Sequence, residues 1–125
     1  MQNEITIVMI DDNRRDHDVF SLALNNLDIQ YTCRFIKSVD QAIRLLRKAI
    51  PDYIFINISA LNELGCFKRI RNITNLKSAR LIAYSDIFNN SIQAEVLEKG
   101  ADLCLNKTAD TSELIASLKK IFLDH

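Results

Sequence analysis

Polar side chains stand where three apolar runs of the sequence end, and together they could bind a phosphate group and a divalent metal ion. They are Asp11 and Asp12 after residues 5–10, Asn57 after residues 53–56, and Lys107 shortly after residues 103–105. Ligands of open α/β sheets bind outside the carboxyl ends of the strands, where such side chains converge. Adjacent carboxylates repel each other, and a hard cation such as Mg²⁺ relieves that repulsion. Asn57 is unusual, because this chemistry favours a carboxylate at its position.

Each of these residues also has a simpler structural interpretation. The acid pair could stabilise the N-terminus of a following helix, where carboxylates contribute ~0.3–1 kcal/mol. Lys107 taken alone is typical of a solvated surface lysine. Ser85, at the end of a fourth apolar run, could hydrogen-bond a phosphoryl oxygen or serve as a turn residue, as the following Asp86 suggests. The functional interpretation depends on finding all of them together on successive strand ends.

Short apolar runs alternate with segments of helical period, which predicts a parallel sheet with helices on both faces. We predict strands near 5–10, 29–36, 53–56, 79–84 and 102–105, and helices over 14–26, 40–49, 62–72, 87–99 and 111–123. The helix-boundary signals are a Ser38 or Asp40 cap, Gly100 as the stop of the fourth helix, and a capping-box pattern at Thr111 or Ser112 with Asp110 and Glu113 nearby. The expected apolar side of the first helix holds Val19, Phe20, Leu22, Ala23 and Leu27. Right-handed crossovers favour a doubly wound, flavodoxin-like (βα)5 fold with strand order 2-1-3-4-5.

Length and composition narrow the classes of protein further. A chain of 125 residues fits one domain, and its 16 basic residues balance 16 acidic ones, so no overall field favours nucleic acid or an anionic membrane. The N-terminus lacks a signal-peptide pattern and no apolar run approaches the ~20 residues of a membrane span, so we expect a cytoplasmic protein. The three cysteines, Cys33, Cys66 and Cys104, lack zinc-type spacing and are expected to act as small apolar residues.

Over almost its whole length the chain resembles the receiver domain of bacterial two-component response regulators. The matching stretches are IVMIDDN at 7–13, PDYIFINI at 51–58 with Gly65 downstream, LIAYS at 81–85 and GADLCLNK at 100–107. The resemblance implies that Asp11 and Asp12 correspond to the family's Mg²⁺-binding acid pair, Ser85 to its phosphoryl-binding hydroxyl and Lys107 to its phosphoryl-neutralising lysine. Asn57 stands where the family has the aspartate that accepts a phosphoryl group from a histidine kinase.

The chain departs from the family pattern at three points. An amide nitrogen is not an oxyanion nucleophile and cannot form an acyl phosphate, so Asn57 should not accept a phosphoryl group. Thr108 replaces the usual proline after the lysine, and because a cis bond at a residue other than proline costs ~2.5–4 kcal/mol, we expect a trans bond and a shifted loop. Cys104 and Leu105 stand where a switch aromatic is typical, so the coupling of aromatic and hydroxyl movements is expected to be lost.

These departures favour a stand-alone pseudo-receiver without an output domain, which acts by protein–protein contact rather than as an enzyme. Its partner would be a histidine kinase or another signalling protein, with weak Mg²⁺ binding, no nucleic acid and no membrane. The alternative is a Mg²⁺-dependent phosphoacceptor, in which Asn57 is an engineered substitution or another acid such as Asp11 or Asp12 accepts the phosphoryl group. A flavodoxin-like cofactor binder is disfavoured because neither glycine lies in a phosphate-binding loop. The pathway, the partner and any homodimer through the fourth helix and fifth strand stay open.

Overall fold

The computed structural model describes residues 4–58, 63–73, 78–108 and 110–123, which alternate between β-strands and α-helices. Runs of β-branched and other apolar residues form the strands, as expected where both faces of a sheet are covered. Segments with apolar residues at helical spacing form the helices. In chain order the elements are β1 (Ile5–Ile10), α1 (Arg14–Asn25), β2 (Tyr31–Ile36), α2 (Val39–Leu46), β3 (Tyr53–Asn57), α3 (Cys66–Arg71), β4 (Arg80–Ser85), α4 (Asn90–Glu98), β5 (Leu103–Asn106) and α5 (Thr111–Leu123).

The five strands form one parallel sheet in the order β2-β1-β3-β4-β5. This arrangement confirms the predicted flavodoxin-like α/β fold and its strand order. β1 lies between β2 and β3, with Val8 opposite Arg34 on one side and Ile54 on the other. Because all neighbouring strands are parallel, their carboxyl ends lie at one edge of the sheet. The polar residues that follow the strands are therefore brought to that edge.

Two apolar clusters cover the two faces of the sheet. Side chains alternate along each strand, so that Val8 and Ile10 enter one cluster while Ile7 and Met9 enter the other. The first cluster packs against α2, α3 and α4 through Ala42, Leu46, Phe67, Ile70 and Val96. The second packs against α1 and α5 through Phe20, Ala23, Leu24, Leu114, Leu118 and Phe122.

Hydrogen bonds at the helix N-termini confirm one predicted cap and correct another. Ser38 Oγ accepts the Gln41 N–H at 3.2 Å and caps α2. This confirms Ser38 rather than Asp40 as the cap. At α5 the cap is Asp110, whose Oδ1 accepts the Ser112 N–H at 2.9 Å. The prediction of Thr111 or Ser112 as the cap was wrong, because both belong to the first turn of the helix.

The apolar side of α1 and several boundaries also differ from the sequence prediction. Leu22 is 55% exposed, whereas Leu24, which was not predicted, is fully buried. α2 ends at Leu46, about three residues before the predicted limit, and β3 extends through Asn57. The predicted start of the third helix, near residue 62, lies outside the described residues. Gly100 follows α4 with a φ of 123° and confirms the predicted glycine stop.

Cys33, Cys66 and Cys104 have free thiols and are partly buried. Burial raises the pKa of Cys33 to about 12 and that of Cys66 to about 11, so both thiols are neutral at pH 7.

Among the described helices, none combines the length and the apolar character that a membrane crossing requires.

Candidate functional site

Asp11 is a buried carboxyl group at the carboxyl end of β1, an interior strand of the sheet. Its backbone N–H donates to Ile36 O at 2.9 Å, which continues the β1–β2 ladder past the end of the strand. Only 3% of the residue is exposed. Oδ1 accepts from the backbone N–H of Asn13 at 2.8 Å and from Nδ2 of Asn57 at 3.0 Å. Oδ2 is buried and has no hydrogen-bond partner among the described residues.

The surroundings of Asp11 raise the pKa of its carboxyl group above the usual range. Burial is the largest influence and raises the pKa of this carboxyl group, because a charged group loses solvation there. The Asp16 carboxylate raises the pKa further, while the Asn13 N–H and the Lys107 ammonium group act in the opposite direction. An unpartnered carboxylate oxygen in this position is an acceptor for a proton or a cation.

Asn57 ends β3, one residue beyond the predicted strand, and lies beside Asp11. Its Nδ2 donates to Asp11, and its Oδ1 is buried without a partner in the described part of the chain. The next residue, Ile58, donates its backbone N–H to Tyr84 O at 2.9 Å and so ties the end of β3 to β4. An amide suits this position because it supplies a donor to Asp11, where a carboxylate would add like-charge repulsion.

Lys107 follows β5 and forms an ion pair with Asp16. The Lys107 Nζ lies 2.7 Å from Asp16 Oδ2, and the two side chains are 18% and 20% exposed. Nζ also lies 5.4 Å from the centroid of the Tyr84 ring, which places the cation beside an aromatic face. The backbone N–H of Lys107 donates to Ser85 O at 2.8 Å. Every described peptide bond is trans, including Lys107–Thr108, as predicted.

Asp16 is the site residue that the sequence analysis missed. Its backbone N–H donates to the side chain of Asn13, which caps α1, so its sequence position is typical of an acid in the first turn of a helix. No sequence signal marked it as a site residue, because an acid in the first turn of a helix needs no partner to explain it.

His17 is a second residue that was missed. Its Nε2 lies 2.5 Å from Asp11 O, and its ring stacks on Phe35 with centroids 4.4 Å apart. The ring therefore stabilises the turn that connects β1 to α1. No sequence signal distinguished this histidine from a surface residue of the helix.

Ser85 ends β4 but is fully buried. Its Oγ donates to Ile58 O at 2.5 Å and accepts the Ile87 N–H at 3.1 Å. The hydroxyl proton is thus used in the bond to the residue after β3, and the hydroxyl oxygen stabilises the turn after β4.

Asp11, Asp12 and Asn57 line one cleft at the carboxyl edge of the sheet, with a volume of about 470 Å³. Asp12 is exposed, and Lys37 and Arg69 supply positive charge at the sides of the cleft. Ser85 and Lys107 do not line it. The structure therefore brings three of the five predicted site residues into one cleft. Of the other two, Lys107 is paired with Asp16 of α1, and Ser85 is buried and bonded to Ile58 O.

The donor set of this cleft fits a weakly held hard cation. Asp11 Oδ2 and Asn57 Oδ1 are buried oxygens without partners, and Asp12 adds an exposed carboxylate. Carboxylate and amide oxygens together with water are ligands of Mg²⁺. Within the described part of the chain, no three His, Cys, Asp or Glu side chains are grouped closely enough to hold a metal ion. Water would have to complete such a coordination sphere.

No protein-family model matches this sequence, and no curated protein matches it significantly. Solved structures do match its fold. A response regulator from Thermotoga maritima aligns with 21% identity and a TM-score of 0.80, covering 95% of this chain and 98% of that one. The Mn²⁺-bound form of response regulator Rcp1 aligns with 13% identity and a TM-score of 0.80, covering 96% of this chain and 95% of the other.

An atypical orphan response regulator, described as having a phosphorylation-independent regulatory mechanism, is also similar. It aligns with 18% identity and a TM-score of 0.71, covering 92% of each chain. At these identities the comparisons establish that the chain has the fold of response-regulator receiver domains over nearly its whole length.

Proposed function

We propose that this chain is a receiver domain of two-component signalling that does not accept a phosphoryl group and acts by binding partner proteins. The observation that carries the proposal is Asn57 at the end of β3, hydrogen-bonded to the buried carboxyl group of Asp11. The amide nitrogen has its lone pair delocalised into the carbonyl group and does not attack a phosphoryl donor. That chemistry supports a binding role in place of phosphoryl transfer.

The positions of Lys107 and Ser85 support the same proposal. Both are residues that the receiver resemblance assigns to phosphoryl oxygens, yet each is engaged inside the chain. Lys107 forms its ion pair with Asp16, and the Ser85 hydroxyl donates to Ile58 O. The domain therefore satisfies these two groups with its own atoms.

The expected partner is a histidine kinase or another signalling protein of a bacterial cytoplasm. A homodimer is a further form that such a module could take. The balanced charge of the chain argues against a direct role on nucleic acid. Mg²⁺ is a weak ligand under this proposal, because Asn57 supplies a neutral oxygen where a third carboxylate would attract the cation.

The test is phosphoryl labelling measured by intact mass. The purified protein is mixed with Mg²⁺ and either acetyl phosphate or phosphoramidate. We expect the unmodified chain to gain no phosphoryl group and Asn57→Asp to gain one in a fraction of the molecules. The matched control is Asn106→Asp, which makes the same change at the exposed end of β5 and should gain none.

A double variant tests the engagement of Lys107 by Asp16. Asn57→Asp combined with Asp16→Asn should be labelled at least ~3-fold faster than Asn57→Asp alone, because an ion pair worth ~0.6 kcal/mol or more no longer holds the lysine. Labelling of the unmodified chain, at Asp12 for example, would support the alternative phosphoacceptor. If Asn57→Asp gained no phosphoryl group, the site would not work as the receiver resemblance implies, and the proposal would be contradicted.

A further inference from the structure

The outer edge of β2 and the neighbouring face of α2 enclose a basic groove of about 570 Å³. We infer that this groove binds an acidic, extended segment of a partner protein. Its cationic residues are Arg34, Lys37, Arg44 and Lys48, and its apolar lining includes Ile36 and Leu45. These six residues are called the β2–α2 groove below.

Neighbouring acids balance only part of the charge of the β2–α2 groove. The four cationic side chains are exposed, and none forms an ion pair with another described residue. Asp40, at the start of α2, bonds to Arg69 at 2.5 Å, and its pKa is lowered mainly by Arg69 and less by Arg44, so it offsets only part of the groove's charge. In a chain with equal numbers of basic and acidic residues, such a concentration of one sign predicts an acidic binding partner.

Both elements present their cations to one ligand. Arg44 and Lys48 are four residues apart, and so lie one above the other on the same face of the helix and its C-terminal turn. Arg34 is an exposed residue of the facing strand. A ligand lying between strand and helix would meet positive charge from both sides.

The sheet edge determines the conformation of the ligand. β2 is the end strand of the sheet, and no described segment pairs with its outer side. Alternate backbone N–H and C=O groups of an edge strand point outward and can pair with an added strand. An extended segment with alternating acidic and apolar residues would pair with β2 and direct its acids to the cations.

Single-stranded nucleic acid and anionic membranes fit the groove less well. Base stacking needs an open aromatic face, but Phe35 has His17 stacked on it at 4.4 Å. Membrane binding needs exposed apolar side chains, and the large exposed ones, Leu22, Ile50, Leu97 and Leu123, do not line the groove. A protein segment is the occupant that its charge and its open strand edge favour together.

The groove is largely separate from the cleft at Asn57. Arg34, Arg44 and Lys48 do not line that cleft, whereas Lys37 lines both. The inference therefore goes beyond the proposed function and does not depend on the lack of phosphorylation. Lys37 is left unchanged in its test.

The test measures binding of a fluorescent peptide of alternating glutamate and valine to the full chain at low and physiological salt. We expect saturable binding that weakens with salt, and amide NMR shifts concentrated in β2 and α2. Arg44→Glu with Lys48→Glu should weaken binding at least ~10-fold, because two attractive charges become repulsive. Lys119→Glu with Lys120→Glu, which makes the same changes on exposed residues of α5, should alter affinity less than ~2-fold.

Arg44→Gln with Lys48→Gln provides a milder pair in case the charge reversal unfolds α2, and should weaken binding at least ~3-fold. Absence of peptide binding to the native chain would overturn the inference. Equal losses in the α2 and α5 variants would do the same. Tighter binding of a single-stranded oligothymidylate, or of phosphatidylserine vesicles, would assign the groove to a different class of ligand and would also overturn it.

Discussion

Asp11 and Asn57 show how one amide changes a buried acidic site. The Asn57 amide donates to Asp11 Oδ1, while Asp11 Oδ2 and Asn57 Oδ1 have no partners among the described residues. The carboxyl group is therefore only partly satisfied, and burial raises its pKa. A buried acceptor without a partner costs about 1–3 kcal/mol. The site consequently favours any species that brings a positive charge or a proton.

This raised pKa predicts how stability depends on pH. Over a range above the ordinary carboxyl pKa, folded Asp11 keeps a proton that the unfolded chain has lost. The free energy of unfolding therefore falls as pH rises through that range and stays lower above the folded pKa. Asp11→Asn should remove this dependence and raise the free energy of unfolding at pH 7 by about 1 kcal/mol, measured by urea unfolding at several pH values.

Asp12→Asn is the matched control, because it makes the same change on an exposed neighbour. It should alter stability by less than about 0.5 kcal/mol. Asp11→Asn would contradict the interpretation if it destabilised the protein at pH 7 or left the pH dependence unchanged.

Metal affinity is the second prediction at the scale of single residues. The native chain should bind Mg²⁺ with millimolar or weaker affinity, since Asn57 is neutral and Lys37 lines the same cleft. Calorimetry or amide NMR shifts would measure this affinity. Asn57→Asp should bind Mg²⁺ at least ~5-fold more tightly, because it adds a carboxylate beside Asp11. Micromolar binding by the native chain would contradict this account.

The sequence located Asp11, Asp12 and Asn57 because each directly follows an apolar run, and residues after parallel strands converge. It could not locate Asp16, because an acid in the first turn of a helix needs no partner to explain it. It also could not foresee that Lys107 bonds to Asp16, since that contact depends on the position of α1 relative to β5.

At the scale of elements, Gly100 controls the connection from α4 to β5. Its φ of 123° suits glycine, and an added Cβ would lie 2.7 Å from Arg71 Cγ. That arginine also donates to Gly100 O at 2.8 Å and to Ala79 O at 3.1 Å, so it joins α3 to the loops around β4 and has little freedom to move.

Gly100→Ala should therefore lower the free energy of unfolding by about 2 kcal/mol, through both backbone strain and displacement of Arg71. Gly65→Ala is the control, because its backbone is helical and an added Cβ would meet no atom of the described residues within 4 Å, apart from its own local backbone. Its effect should stay within about 0.5 kcal/mol in a thermal or denaturant melt. Equal losses in the two variants would exclude this role for Gly100.

β1, β3 and β4 were predictable because buried parallel strands are continuous apolar runs, whereas the edge strand β2 alternates between partly buried and exposed residues. The helix faces were harder to predict. Leu22 was assigned to the apolar side of α1, but the structure leaves it 55% exposed and buries Leu24 instead. Both leucines satisfy a helical period, and the rotation of α1 against α5 and the sheet decides between them.

At the scale of the whole molecule, two apolar clusters share one sheet and should unfold together. Neighbouring side chains of the central strands belong to opposite clusters, so neither cluster can dissolve while the strands stay paired. Leu46→Ala in one cluster and Leu118→Ala in the other should each lower the free energy of unfolding by about 2–5 kcal/mol. Far- and near-ultraviolet circular dichroism should give one coincident transition in each variant. A second transition in either variant would show that the clusters unfold separately.

The hydrogen bond from Ile58 N–H to Tyr84 O has a consequence for how the molecule ages. Asparagine slowly deamidates when the following backbone nitrogen attacks the side-chain carbonyl, expels ammonia and closes a succinimide ring, which water then opens to aspartate or isoaspartate. At Asn57 that nitrogen is engaged by β4, the backbone is extended, and the branched side chain of Ile58 hinders ring closure. Spontaneous deamidation of this residue should therefore be slow. A protein molecule then keeps its amide over its lifetime and does not gain a phosphoryl-accepting aspartate.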